Sequence, residues 1–332
     1  MVVFVSAFAA WVPSGAMRSP ILWYAVVAIV ATTGLPRVLP GQSSTSGVVP
    51  GAEARVREDL AVLASPRLEG RNAGTPGADT AANFIARRFL ELGLGAAFRS
   101  SECDANGACR PSYLQAFRAP GFATANIGAI IPGTDSSLRD EYVAITAHYD
   151  HIGRMNAGQG DSAPPNSVHP GADDNASGTA AVLELARRFN ELPLKRSVIV
   201  LAFGAEELGL VGSRVFVENP PFDLHTIDVV LNLDMVGRLR KNRLQIFGAD
   251  GELKPIVERA NADSRFSLAT RPRSSGRSDD FSFESHDVPA LHFTTGEHVD
   301  YHRATDTVNR VNVVGLVRVI DYVERVARLM DR

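Results

Sequence analysis

The sequence predicts an α/β protein, a three-layer α/β/α sandwich, and three observations point to it. Helical and strand-like segments alternate from about residue 53 to the C-terminus. Several of the strand-like segments are apolar without interruption, as strands covered on both faces are. Acidic residues and histidines recur at the ends of those strands, where open α/β sheets gather their ligands.

The elements follow in chain order. ARVREDLAVLAS (54–65) and DTAANFIARRFLELG (79–93) carry apolar residues at helical spacing. A loop with Cys103 and Cys109 comes next, then strands at QAFRAP (115–120) and NIGAIIPG (126–133). EYVAITAH (141–148) is rich in β-formers. SGTAAVLELARRFNEL (177–192) is a helix that Asn175 or Ser177 caps. SVIVLAFG (197–204) and IDVVLNLDM (227–235) read as buried strands. LKPIVERANAD is a helix, VPALHFT a strand, and VVGLVRVIDYVERVARLMD a long amphipathic closing helix.

Ahead of these, residues 1–52 read as a leader and linker, leaving 53–332 as a single domain. Residues 20–35, PILWYAVVAIVATTGL, are apolar and follow Arg18, which fits a secretory signal. They are short for a membrane span, although an uncleaved anchor is the alternative reading. Pro, Gly and Ser dominate residues 36–52. An exported chain, secreted or periplasmic, is therefore expected, with its two cysteines joined in a local disulfide that stiffens an exposed loop near the site. The 332 residues are 45% hydrophobic and 21% charged with a net charge of -3, which gives no reason to expect nucleic acid as a partner. Oligomeric state is open.

The chemistry-bearing residues sit at strand ends. His148 and Asp150 are two apart, so Asp150 is expected to reach the imidazole and fix its tautomer. Asp173 and Asp174 lie in a Gly-rich turn that opens a helix, where they either cap it or ligate a metal. Gly171 and Gly178 permit the close approach that a bridging carboxylate needs. Glu206 and Glu207 follow a buried strand; their side chains diverge, so one can ligate while the other serves as general base. Asp234 interrupts an apolar run, where an unpaired carboxylate is costly. His302 is preferred to His298 because Tyr301 and Asp306 flank it. His151, His169, His225, His286 and His292 read as ordinary surface or core histidines. Asp173, Glu207 and Asp234 together with one hydroxide would neutralise a pair of divalent cations, which this mixed N/O set suits.

The motifs RNAGTPG (71–77), AHYDHIG, GADDNASGTA, GAEELGLVGS, LNLDMVGR and DYHRATDT occur in order from about residue 53 onward. Taken together they resemble the co-catalytic dizinc aminopeptidases, relatives of glutamate carboxypeptidase II and glutaminyl cyclase. The resemblance implies a zinc-exopeptidase-like sandwich with a mixed, mostly parallel sheet. It implies two zinc ions per chain, one on His148, Asp173 and Asp234, the other on Asp173, Glu207 and His302, with Asp173 bridging. Glu206 would be the general base, Asp150 would orient His148, and Tyr301 would stabilise the oxyanion. A metal-bridging hydroxide would attack peptides that carry a free N-terminus. A cis peptide is expected between Asp173 and Asp174. The chain departs from the resemblance at Ser278-Asp279-Asp280, where relatives often have Ser-Asp-His. A single-zinc glutaminyl cyclase, a carboxypeptidase or dipeptidase, and an inactive receptor-like module are the competing readings.

Overall fold

The computed structural model describes residues 51–104, 107–154 and 161–331. The leader, the apolar segment 20–35 and most of the linker lie outside the described residues. Among the described residues no helix is long and apolar enough to cross a membrane.

Two helices open the domain, α1 (Ala52–Leu63) and α2 (Pro76–Glu91). Thr75 caps α2 by accepting the Ala78 N–H, and Pro76 occupies the first turn, where its missing N–H costs nothing. Five strands follow: β1 (Gly95–Ala96), β2 (Phe98–Cys103), β3 (Cys109–Ser112), β4 (Leu114–Ala119) and β5 (Phe122–Ile131). Then come β6 (Tyr142–His148), α3 (Gly178–Glu191), β7 (Ser197–Phe203), α4 (Val211–Glu218) and β8 (Ile227–Leu233). The chain closes with β9 (Arg243–Phe247), α5 (Leu253–Ser264), β10 (Ser267–Thr270), α6 (Asp280–Glu284), β11 (Ala290–Thr294) and α7 (Val313–Met330).

Nine strands form one mixed sheet in the order β1-β5-β7-β6-β8-β11-β9-β10, with β4 added on β5. At its centre β7, β6, β8 and β11 run parallel, so their C-terminal ends share one rim. The antiparallel pairings lie outside them. β2 and β3 form a separate hairpin, joined by the Cys103–Cys109 disulfide. Among the described residues, none of this hairpin lines the cavity described below.

Alternation along the strands builds two cores. Val143, Ile145, Ala147, Val198, Val200 and Ala202 face the larger one with α1, α2, α3 and α7. Ala144, Ile199, Leu201 and Phe203 face the smaller one with Phe216 of α4 and Phe283 of α6. A chain of paired polar groups threads this core. Thr146 donates to Asn232 at 2.8 Å, and Asn232 donates to Ser278 at 2.8 Å, which fixes the rim loop after β10 against the central strands.

Candidate metal centre and its cavity

Four segments bring the polar residues to the rim of the parallel strands. His148 ends β6, Glu206 and Glu207 follow β7, Asp234 follows β8, and the loop after β11 carries His298 to His302. Each sits where a strand's last side chain leaves the sheet, so burial of the strand buries the base of the cluster.

The fifth contribution comes from the turn Ala172–Ser177 that runs into α3. Gly171 has φ 55°, in the left-handed region, and a Cβ there would stand 2.1 Å from the Asp174 carbonyl oxygen. A Cβ on Gly178 would lie 2.2 Å from the Leu233 oxygen, so glycine lets the turn press against the end of β8.

This turn corrects the expected bridging residue. Asp174, not Asp173, faces the cluster: its Oδ1 lies 3.4 Å from His148 Nε2 and its Oδ2 lies 3.1 Å from His302 Nε2. Asp173 is turned away into the protein. Its Oδ1 accepts from Gly237 N–H at 2.6 Å and from Ser177 at 3.0 Å, and its Oδ2 lies 3.0 Å from His298 Nε2. The physical reason is the non-helical backbone at Asp174 (φ -107°, ψ 97°), which swings its side chain to the face opposite Asp173. The cis peptide likewise lies one residue later than expected, between Asp174 and Asn175.

The donors fall into two groups, His148, Glu206 and Asp234 in one and His151, Asp174, Glu207 and His302 in the other, each with its nitrogen and oxygen atoms within 4.8 Å of one another. His148 Nε2 is 3.3 Å from Asp234 Oδ1 and 3.9 Å from Glu206 Oε2. His302 Nε2 is 3.1 Å from Glu207 Oε2. Asp174 reaches both groups with different oxygens, the geometry a bridging carboxylate needs.

Asp150 stands beside the His148 imidazole but does more than orient it. It lies past the end of β6, so the two-residue alternation no longer applies. Its backbone oxygen stands 3.3 Å from His148 Nδ1, while its carboxylate is 3.7 Å away. The carboxylate instead accepts the N–H groups of Glu206 at 3.0 Å and Glu207 at 3.4 Å, fixing the segment that carries both.

Three further residues hold the site in roles their sequence positions did not reveal. Arg71, fully buried, donates to the carbonyls of Tyr149, Leu63, Pro170 and Gly171. Burial pulls its guanidinium down to about 10, which leaves it charged at neutral pH. Asp306 Oδ2 accepts the N–H of Asp173 at 2.8 Å and of Asp174 at 3.1 Å, and its Oδ1 pairs with Arg238 at 3.1 Å. His151, expected to be an ordinary histidine, lies with Nδ1 2.7 Å from Glu207 Oε1 and its ring edge-on to His302. Its place three residues after His148, in the same motif, was the one available hint.

The electrostatics are those of a cluster that needs a cation. Burial pushes Glu206 well above the usual carboxylate range, and Asp279, Asp234 and Glu207 add to this against the pull of His148. Burial works against charge on His148, yet Glu206 and Asp234 raise it well above its ordinary value. Burial likewise opposes charge on His302, but hydrogen bonds to Asp174 and Glu207 raise it to about 10. Burial disfavours an ionised Asp174, and His148 and His302 nevertheless hold it well below the usual range. Converging carboxylates with imidazole nitrogens turned toward them fit a divalent metal, whose charge replaces the protons they otherwise hold.

The cluster forms one wall of a cavity of ≈ 370 Å³. Tyr301 lines it and stacks on His302 with ring centroids 3.9 Å apart. Burial, reinforced by Asp174 and Glu207, raises the Tyr301 phenol and keeps it a proton donor. His169 is buried away from the cavity against Asp161 at 2.8 Å, and His225 and His286 are exposed.

Residues 126–327, more than half of the chain, match the family model of Peptidase family M28. Aminopeptidase YwaD of Bacillus subtilis is 31% identical over 183 residues, covering 52% of this chain and 37% of the relative. A probable lipoprotein aminopeptidase, LpqL, of Mycobacterium tuberculosis is 39% identical over 100 residues, covering 28% of this chain and 20% of the relative. The chain thus matches little more than a third of the length of the first and a fifth of the second. Among solved structures, BSAP, a zinc aminopeptidase from Bacillus subtilis, superposes with a TM-score of 0.66 at 18% identity, over 84% of this chain and 95% of that one. That likeness shows the shared fold.

Proposed function

Because the chain belongs to Peptidase family M28, we propose that it is a zinc-dependent aminopeptidase, releasing N-terminal residues from peptides at a pair of metal ions. The observation that carries the reading is Asp174, whose two oxygens face the His148 and His302 groups separately. His148, Asp234 and Asp174 would hold one zinc; Asp174, Glu207 and His302 would hold the other. Bound there, the pair supplies Lewis acidity to the scissile carbonyl and to a water molecule.

The chain's own groups do the rest. Glu206, whose carboxylate is buried and hungry for a proton, takes one from the attacking water and delivers it to the leaving amine nitrogen. Asp150 holds the Glu206 and Glu207 backbone in place through their N–H groups. The Tyr301 phenol donates a hydrogen bond to the oxygen that gains charge. The free α-amine of the substrate is held at the carboxylates, which excludes internal peptide bonds.

Export through residues 20–35 belongs to the same reading. It is supported by the Cys103–Cys109 disulfide, which persists in oxidising compartments, and by the lipoprotein relative.

Glu206→Ala tests the whole scheme. Its zinc content, measured by elemental analysis, should match the parent protein, while hydrolysis of aminoacyl-nitroanilides falls by about 10²–10⁴. Chelation should abolish parental activity and zinc should restore it. Ammonia release from N-terminal glutamine, with no nitroaniline produced, would replace the reading with a cyclase.

A further inference from the structure

A second groove, of ≈ 410 Å³, borders the catalytic cavity and shares Gln245, Gly296 and Glu297 with it. The rest of its lining includes Arg240, Lys241 and Arg243. Strand β9 runs antiparallel to β11, so Arg243, at its start, lies at the rim where β11 ends. That is the rim of the donor cluster. The turn Arg240–Arg243 therefore presents three cations beside the cavity.

The turn is anchored from two sides. Arg240 donates to the Glu297 carbonyl oxygen at 2.9 Å, and the Asn242 side chain accepts from Arg318 at 2.7 Å. Arg240, Lys241 and Arg243 are all exposed. Among the described residues, neither Lys241 nor Arg243 forms an ion pair with a carboxylate. Glu297 is the one carboxylate on the groove's described lining, and Arg277 already pairs with it at 2.7 Å. The chain as a whole carries a net charge of -3, so this excess of positive charge is local. Like charges held together on an anchored turn repel one another, and the partner that relieves them is an anion.

We propose that this groove carries the part of a peptide that lies beyond its first residue, and that it favours acidic side chains there. The catalytic cavity takes the N-terminal residue and the scissile bond. The chain beyond them has to continue outside it, and the groove is contiguous with it. The attraction joins exposed charges, so salt weakens it and it acts on binding more than on the chemical step. The proposal rests on the aminopeptidase reading and names the class of peptide that this reading would process.

The test uses three peptides with C-terminal amides, Leu-Glu-Glu-Ala, Leu-Gln-Gln-Ala and Leu-Lys-Lys-Ala, and follows leucine release by the zinc-loaded full chain. The common leucine keeps the first subsite constant. At low salt kcat/KM should fall in the order glutamyl, glutaminyl, lysyl. The first two should differ by about threefold or more, chiefly through KM. Sodium chloride at about 1 M should bring the three together, a result that needs no variant. Lys241→Glu combined with Arg243→Glu should reverse the order at unchanged zinc content, which general damage to the fold would not do. Equal rates or a lysyl preference in the parent at low salt, an order that salt leaves intact, or an order that charge reversal does not change overturns the proposal. If the parent releases leucine from none of the three, the aminopeptidase reading itself is overturned, and the groove assignment falls with it.

Discussion

At one end of the cavity, every segment that carries a metal-binding candidate is tied down by buried hydrogen bonds. Arg71 grips four carbonyls, Asp306 takes the N–H groups of Asp173 and Asp174, and Asp150 takes those of Glu206 and Glu207. At the other end, the cavity wall is the paired strands β9 and β11, whose Gln245, Phe247 and His292 line it. The contrast separates two tasks. Chemistry needs atoms fixed to within a fraction of an ångström, so the protein spends its long-range polar contacts there. Recognition is left to side chains on a regular strand surface.

Asp174→Ala is the harshest way to break this comparison. Losing the carboxylate that faces both groups should remove most of the bound metal and lower activity by at least about 10³, as elemental analysis and nitroanilide hydrolysis will show. Asp173→Asn, one residue away, should keep its metal. If the two variants behave alike, the assignment of Asp174 as the bridge is wrong.

Arg71→Met comes next. It leaves buried carbonyls without donors and should lower the unfolding free energy in urea by about 3 kcal/mol or more. The ratio of glutamyl to glutaminyl peptide hydrolysis in the surviving folded protein should not move, since Arg71 has no contact with the groove. A changed ratio would show that the two ends are coupled.

His151→Phe keeps the ring and removes the Nδ1 contact to Glu207. Zinc affinity, read by competition with a chromophoric chelator, should weaken about 10- to 100-fold. Unchanged affinity would make His151 a mere packing residue.

The smallest effect is a proton count. The raised His302 imidazole, at about 10, is protonated at pH 7 in the metal-free protein, and a metal needs its bare nitrogen. Binding should therefore release about one proton or more, and affinity should rise with pH up to that value. Calorimetric titrations in two buffers with different ionisation heats measure it; identical enthalpies would rule it out.

Much of this was legible in the sequence for a simple reason. His148, Glu206, Glu207 and Asp234 interrupt or end apolar strands, and only a few environments tolerate charge there. The alternation of helices and strands likewise exposed the sandwich, its central strands and α7. The choice between Asp173 and Asp174 was not legible, because the turn before α3 follows no period and its dihedrals decide which carboxylate turns inward. Arg71 and Asp306 find their farthest partners 100 and 133 residues away, beyond any local pattern. β9 and β10 are short, and His292 looked ordinary until the β9–β11 pairing set it beside Phe247 and Gln245.

Asp306 also governs when the donor cluster can assemble. Translation delivers it 133 residues after the backbone N–H of Asp173 that it must receive. The imidazole of His302 arrives equally late. A ribosome can therefore finish the inner helices and strands while the blade is still missing its hinge pin. On the proposed reading, the donor cluster is complete only once the loop that carries His302 and Asp306 has docked.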